Sequence, residues 1–201
     1  MKLLLTSQGF TTESIKSKFF EIVGKKPNEI SIAFIPTAAY PNANKPWVKQ
    51  TREDILKMGI KSVVYVDLKN YKEKELYGKL KLFDVIFVNG GNTFNLLYWV
   101  RRSGFDKTIK RLLKEGKTYV GLSAGSILAC PTIEVALWKG IDDSNVVELD
   151  NFKGLDLVDF YIFVHYLDKW ESLVAKEKKD LNGELILLTD QQAVTEKGTI
   201  I

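Results

Sequence analysis

Short apolar strand patterns alternate with amphipathic helix patterns along most of this chain, and that alternation constrains the fold more than any other feature. Val85–Val88 is apolar at every position, which is typical of a strand covered on both faces of a sheet. Because parallel neighbours need helical crossovers between them, the alternation predicts a three-layer α/β fold with a mostly parallel sheet and helices on both faces. Without repeats, linkers or low-complexity segments, residues 1–201 are predicted to form one domain.

The periodicities also place the individual elements. Apolar runs predict strands at 2–5, 30–35, 62–67, 85–88, 118–122, 160–164 and 185–189. Amphipathic runs predict helices at 47–58, 72–82, 94–102, 105–115 and 170–179, and one helix that ends at Gly24. The segment 132–159 has no clean period and is predicted to form loops with short strands, and the last residues are predicted to form a hairpin.

Composition limits the classes of partner. The 29 basic and 25 acidic residues give a net charge of +4, and Lys and Glu are interleaved, which indicates solvated helix faces rather than a nucleic-acid surface. No run approaches the length of a membrane helix, and the N-terminus lacks the pattern of a signal peptide. Cys130 is the only cysteine, so an internal disulfide is excluded. We therefore predict a cytoplasmic protein with neither nucleic acid nor membrane as a partner.

The segment TYVGLSAGSILACP contains Gly121-Leu122-Ser123-Ala124-Gly125, which satisfies the G-x-S-x-G pattern of a nucleophile elbow. A Ser at a sharp strand-to-helix turn has strained backbone geometry, and glycines two residues away let neighbouring chain pass closely. The first amides of the following helix lack intrahelical partners and can receive an oxyanion. Ser123 is thus predicted to be a nucleophile, with Ala124 as an oxyanion donor. The alternative is an ordinary turn in which Ser caps the helix.

A second glycine-containing turn follows the strand at 85–88. Asn89-Gly90-Gly91-Asn92-Thr93 leads into the predicted helix at 94–102, so its amides also face outward at the carboxyl end of a strand. The functional interpretation is an oxyanion-hole amide from Gly91 with substrate contacts from Asn92 and Thr93. The alternative is a tight turn in which Thr93 caps the helix.

The chain has a single histidine, His165, directly after the predicted strand at 160–164. If an imidazole activates Ser123, it must be that of His165, and both residues lie at carboxyl ends of strands. The alternative is a packed, half-buried histidine. With one His and no Cys pair, no zinc site is predicted, and hydrolysis through a serine nucleophile needs neither a metal nor a cofactor. Spacing alone leaves the carboxylate partner of the imidazole open among Glu134, Asp142, Asp143, Asp156, Asp159, Asp168 and Asp190.

Three segments together resemble peptidase family S51, the aspartyl dipeptidase (dipeptidase E) family. They are the elbow run from Gly121 through Ile133, the turn Gly90-Gly91-Asn92-Thr93, and Leu155-Asp156-Leu157 followed by His165-Tyr166. The resemblance implies a class I glutamine amidotransferase-like (flavodoxin-like) fold in which Ser replaces the amidotransferase Cys. It also implies a Ser-His-Asp triad in the chain order Ser, Asp, His.

Carried over by residue, the resemblance implies Ser123 as nucleophile and His165 as general base. Asp143 stands nine residues before Phe152, at the distance that the family's acid implies, and Asp142 is the alternative. Where the aspartyl dipeptidase has a basic residue after Pro-Thr-Ile, this chain has Glu134, which would repel an acidic substrate side chain.

The function implied is a serine peptidase that hydrolyses small peptides through an acyl-enzyme, with a dipeptidase as one form of it. The predicted partner is a small peptide substrate, and a homodimer is left open. The sequence leaves two alternatives to a peptidase open, an α/β-hydrolase-type esterase and a non-catalytic binding protein that keeps the fold.

Overall fold

The fold is described from a computed structural model that covers residues 1–138 and 143–201. The strands in these ranges are β1 (Lys2–Thr6), β2 (Ser31–Ile35), β3 (Ser62–Tyr65), β4 (Val85–Val88), β5 (Thr118–Leu122), β6 (Phe160–Phe163), β7 (Glu184–Leu187) and β8 (Ala193–Thr195). The α-helices are α1 (Glu13–Val23), α2 (Pro46–Lys57), α3 (Glu73–Leu80), α4 (Thr93–Ser103), α5 (Phe105–Lys114), α6 (Ala124–Leu128) and α7 (Glu171–Glu177).

A six-stranded sheet with the order β3-β2-β4-β5-β1-β8 forms the centre of the molecule. β1 to β5 are parallel, and β8 joins β1 as an antiparallel edge strand. The predicted tail hairpin is present in short form, since an isolated bridge pairs Val194 with Ile200. The mostly parallel α/β architecture predicted from the alternation is confirmed.

Helices cover both faces of this sheet because successive strand residues point to opposite sides. On one face Leu4 and Phe87 pack with residues of α1 and α2. On the other face Leu5 and Val88 pack with residues of α3, α4, α5 and α6. α1 begins where Thr12 accepts a hydrogen bond from the Ile15 amide, and it ends at Gly24 with φ +72°, as its sequence predicted.

β6 and β7 differ from the expectation of one continuous sheet. They form a separate, two-stranded parallel sheet, which packs on the larger of the two apolar cores together with Val174 of α7. Both strands are short, and apolar periodicity alone carries no information about which strands pair. This small sheet matters for the site because His165 follows β6 and Asp190 follows β7.

Candidate active site

Ser123 lies at the turn between β5 and α6, with φ +50° and ψ −111°. This is a strained conformation for a residue with a side chain, and the neighbouring chain holds it in place. The Ser123 amide donates to the Thr6 carbonyl at 3.0 Å. Ser126 Oγ donates to the same carbonyl at 2.8 Å, so the elbow is fixed on the end of β1.

The two glycines of the elbow are required by close approach. A Cβ on Gly121 would lie 2.6 Å from the Gly125 carbonyl oxygen, and a Cβ on Gly125 would lie 2.1 Å from the Val88 carbonyl oxygen. Any side chain at either position would therefore force β5, α6 and β4 apart. The steric reason for the G-x-S-x-G pattern applies in this chain.

Ser123 Oγ lies 2.9 Å from His165 Nε2, and His165 Nδ1 lies 2.5 Å from Asp190 Oδ1. The three side chains form a continuous hydrogen-bonded series in the chain order Ser, His, Asp. The nucleophile and base predicted from the sequence are brought together. The carboxylate in contact with the imidazole is that of Asp190, which sequence spacing had left among seven candidates.

The pairing of β6 with β7 explains this contact. Phe163 is in register with Leu187, so the residues that follow the two strands emerge side by side at the same sheet edge. The Tyr166 amide donates to the Leu188 carbonyl at 2.9 Å, which extends the contact between the two segments beyond the strands. His165 itself has φ +55°, a backbone conformation that is uncommon for a residue with a side chain.

Ser7 is a functional candidate that sequence reasoning missed. It is fully buried directly after β1, and its Oγ accepts the His165 backbone N–H at 2.7 Å while donating to Asp190 Oδ1 at 3.0 Å. A polar residue at the carboxyl end of a parallel strand was the available signal.

Asp143 does not contact His165, which corrects its assignment as the partner of the imidazole. Its Oδ1 accepts from Asn92 Nδ2 at 2.6 Å, and its Oδ2 accepts from the Thr93 amide at 2.9 Å. The carboxylate therefore sits at the start of α4, where helix amides attract negative charge, instead of beside the imidazole. The alternative acid, Asp142, lies outside the described residues.

The turn after β4 begins α4 with a cap other than the one that the sequence offered as its alternative. The helix is capped by Asn92, whose Oδ1 accepts the Asn95 amide at 2.7 Å, and not by Thr93. Gly91 has φ +135°, and a Cβ there would lie 2.4 Å from the Ala38 carbonyl oxygen. Both Gly91 and Thr93 also line a cavity of about 580 Å³ together with Ser123 and His165.

Glu134 is not brought to this site. It is exposed on a 3-10 turn, and its carboxylate accepts from Thr132 Oγ1 at 2.9 Å. It does not line the cavity described above. The repulsion that the sequence suggested between Glu134 and an acidic substrate therefore has no geometric support in this cavity.

Comparison with known proteins identifies the family of this chain. The model of peptidase family S51 matches residues 3–200. The chain belongs to peptidase family S51. Membership makes it a peptidase and confirms the family resemblance of the elbow, the turn after β4 and the His165 segment.

Several relatives of this S51 peptidase carry peptidase names. An uncharacterised peptidase of Pasteurella multocida (strain Pm70) is 34% identical over 167 residues, which cover 83% of this chain and 78% of the relative. A peptidase E of Salmonella newport (strain SL254) is 28% identical over 165 residues, covering 82% and 68% respectively. The solved structure of a candidate peptidase E from Listeria monocytogenes EGD-e superposes with a TM-score of 0.80 at 28% identity, covering 99% of this chain and 96% of the other.

Two features are absent from the described residues. No helix in residues 1–138 and 143–201 combines the length and apolarity needed to cross a membrane. Within the same ranges, no group of three or more His, Cys, Asp or Glu side chains is placed to hold a metal ion.

Proposed function

We propose that this S51 peptidase is a serine peptidase that hydrolyses small peptides through Ser123, His165 and Asp190. The observation that carries the proposal is the hydrogen-bonded series from Ser123 Oγ through the His165 ring to Asp190 Oδ1, with distances of 2.9 and 2.5 Å. A nucleophile, a base within reach of its proton and a group that orients the base are the three parts that covalent acyl transfer needs.

In the proposed reaction Ser123 Oγ attacks the scissile carbonyl while its proton passes to His165 Nε2. Asp190 holds the proton on Nδ1 and stabilises the imidazolium that forms. The oxyanion is received by the amides of Gly91 and Ala124: Ala124 is the first residue of α6, so its N–H has no intrahelical partner. His165 then protonates the leaving amine, and a water molecule hydrolyses the acyl-enzyme by the reverse proton path.

The first experiment compares wild type with Ser123→Ala on a library of unblocked dipeptides with acidic, basic and apolar first residues. Wild type is expected to release free amino acids, and Ser123→Ala to lose about 10⁶-fold in kcat, the order found for loss of a catalytic serine. Ser17→Ala, an exposed change on α1, is the matched control and should keep full turnover.

Labelling by a fluorophosphonate gives a second, substrate-independent readout. Wild type should be labelled at Ser123, and His165→Ala should prevent labelling because the hydroxyl is then no longer activated. Turnover of aryl esters without turnover of any peptide would favour the esterase alternative. If the wild type is not labelled and hydrolyses no substrate, that result would favour a non-catalytic binding protein.

A further inference from the structure

The cavity beside Ser123 has a carboxylate in its wall that the proposed reaction does not use. Asp143 lines this cavity together with Ser123 and His165, yet its side chain is directed at α4 and not at the imidazole. A carboxylate kept in the wall of a substrate cavity without a part in proton transfer is a candidate for substrate binding.

Among the described residues, the hydrogen-bond donors to this carboxylate are neutral. It accepts hydrogen bonds from Asn92 Nδ2 at 2.6 Å, the Thr93 amide at 2.9 Å and the Ser144 amide at 3.0 Å. No Lys or Arg of residues 1–138 or 143–201 forms an ion pair with it. Burial raises the pKa of the Asp143 carboxyl, and these hydrogen bonds oppose that rise.

Removing a carboxylate from water costs free energy, and neutral hydrogen-bond donors offset that cost less than a nearby cation does. The start of α4 supplies only a fraction of a positive charge. A positively charged group of a bound ligand would neutralise the negative charge of Asp143.

Asn89 is an independent sign that a polar ligand belongs here. It lines the same cavity, is fully buried, and neither Nδ2 nor Oδ1 of its side chain has a partner among the described residues. Buried carboxamides are rarely left without hydrogen bonds. Its NH2 group could donate to a peptide C=O, and its carbonyl oxygen could accept from a peptide N–H.

The remaining wall is mainly apolar and aromatic. Trp47, Val135, Phe163 and Trp170 line it, and no Lys or Arg of the described ranges does. Aromatic faces accept apolar side chains and also attract cations. A ligand with a cationic end and an apolar body fits this wall better than one with an acidic side chain.

We propose that Asp143 binds the α-ammonium group of a peptide substrate whose first side chain is apolar. The proposal rests on the peptidase function proposed above and names its substrate class. Acylation of the amino terminus would remove the positive charge and leave the Asp143 carboxylate without its counter-ion. Peptides with a free amino terminus are therefore expected to bind, and their N-acetylated forms to bind poorly.

Binding is measured by calorimetry in the Ser123→Ala background, so that no peptide is consumed. The probes are Leu-Ala, N-acetyl-Leu-Ala and Nα-acetyl-Lys-Ala, the last of which carries its ammonium only on the side chain. Leu-Ala is expected to bind about 10- to 100-fold more tightly than either acetylated peptide, the range of a charge-assisted hydrogen bond. Adding Asp143→Asn should abolish this preference, whereas adding Asp159→Asn, an exposed carboxylate before β6, should preserve it.

Equal affinity for Leu-Ala and N-acetyl-Leu-Ala, or no binding of any probe, would overturn the proposal. Tighter binding of Nα-acetyl-Lys-Ala would assign the carboxylate to a side-chain ammonium and also overturn it. Asp143→Asn weakening all three probes equally would show that Asp143 only holds the turn after β4, and circular dichroism of the variant checks its fold. If Leu-Ala binds in a way that depends on Asp143 but wild type does not hydrolyse it, the peptidase function is contradicted and the binding role of Asp143 stands.

Discussion

Ser7 Oγ accepts the backbone N–H of His165 at 2.7 Å, and the same hydroxyl donates to Asp190 Oδ1 at 3.0 Å. One buried side chain at the end of β1 thereby holds both the backbone of His165, the proposed base, and the carboxylate of Asp190. Ser7 does not touch the position of the reacting atoms, so we regard it as a positioning residue.

Ser7→Ala is expected to lower kcat about 10- to 100-fold, because a small misplacement of a catalytic base has effects of this order. KM should change little, since Ser7 is not among the groups proposed to bind substrate. Steady-state kinetics on the best dipeptide measures both constants, with Ser17→Ala as the control. A rise in KM at constant kcat would contradict the positioning role.

Asp190→Asn is expected to lower kcat about 10³- to 10⁴-fold, because the amide no longer holds the proton on His165 Nδ1 or stabilises the imidazolium. Asp143→Asn leaves the contacts of His165 intact and should affect kcat far less than Asp190→Asn does. Comparison of the two variants under saturating substrate tests which carboxylate serves the base. The reverse order of effects would return Asp143 to the role that the family resemblance implied.

Gly125→Ala is expected to destabilise the fold by roughly 1–3 kcal/mol or more, the usual range for overpacking, because its Cβ would lie 2.1 Å from the Val88 carbonyl oxygen. Fluorophosphonate labelling of Ser123 should fall with it. The matched control is Gly78→Ala in α3, where an added Cβ meets nothing within 4 Å; it should stabilise the fold by about 0.5–1 kcal/mol. Urea unfolding measures both variants, and equal stabilities would contradict the packing argument.

Asp143 should make stability depend on pH. Burial raises the pKa of its carboxyl, so folding favours the protonated form. The pKa of this carboxyl in the unfolded chain is about 4. The stabilisation that the protonated form gives to the fold is fully present below that pH and is lost as pH rises through the raised pKa of the native state.

Asp143→Asn lacks this titration, so its stability relative to wild type should increase from pH 4 toward pH 7. Urea unfolding at three pH values checks this, and Asp159→Asn corrects for the removal of one negative charge. A difference that stays constant over this range would contradict the burial argument.

Cys130 should be inert in the native protein. It is buried, and burial raises the pKa of its thiol to about 12, so almost no thiolate forms at pH 8. Iodoacetamide is expected to leave dipeptide turnover unchanged and to label Cys130 only after unfolding, as mass spectrometry would show. Rapid inactivation on alkylation would place a reactive thiol at the site.

Local sequence patterns were sufficient for most of the elements. The strand predicted at 85–88 is β4 without change, and the helix predicted at 94–102 is α4 with one residue more at each end. Such agreement arises because apolar periodicity and helix caps are properties of neighbouring residues. The cytoplasmic location and the homodimer stay predictions.

The sequence by itself determined the elbow pattern at Ser123 and which residue to propose as base, because the G-x-S-x-G pattern is local and His165 is the only histidine of the chain. Only the tertiary structure decided which carboxylate meets the imidazole. Asp190 is 25 residues from His165 and reaches it because β7 pairs with β6 in register. Asp143, which the family resemblance implied, is held instead by Asn92 and Thr93 at the start of α4. Strand pairing and helix ends depend on packing between distant segments, which residue spacing does not encode.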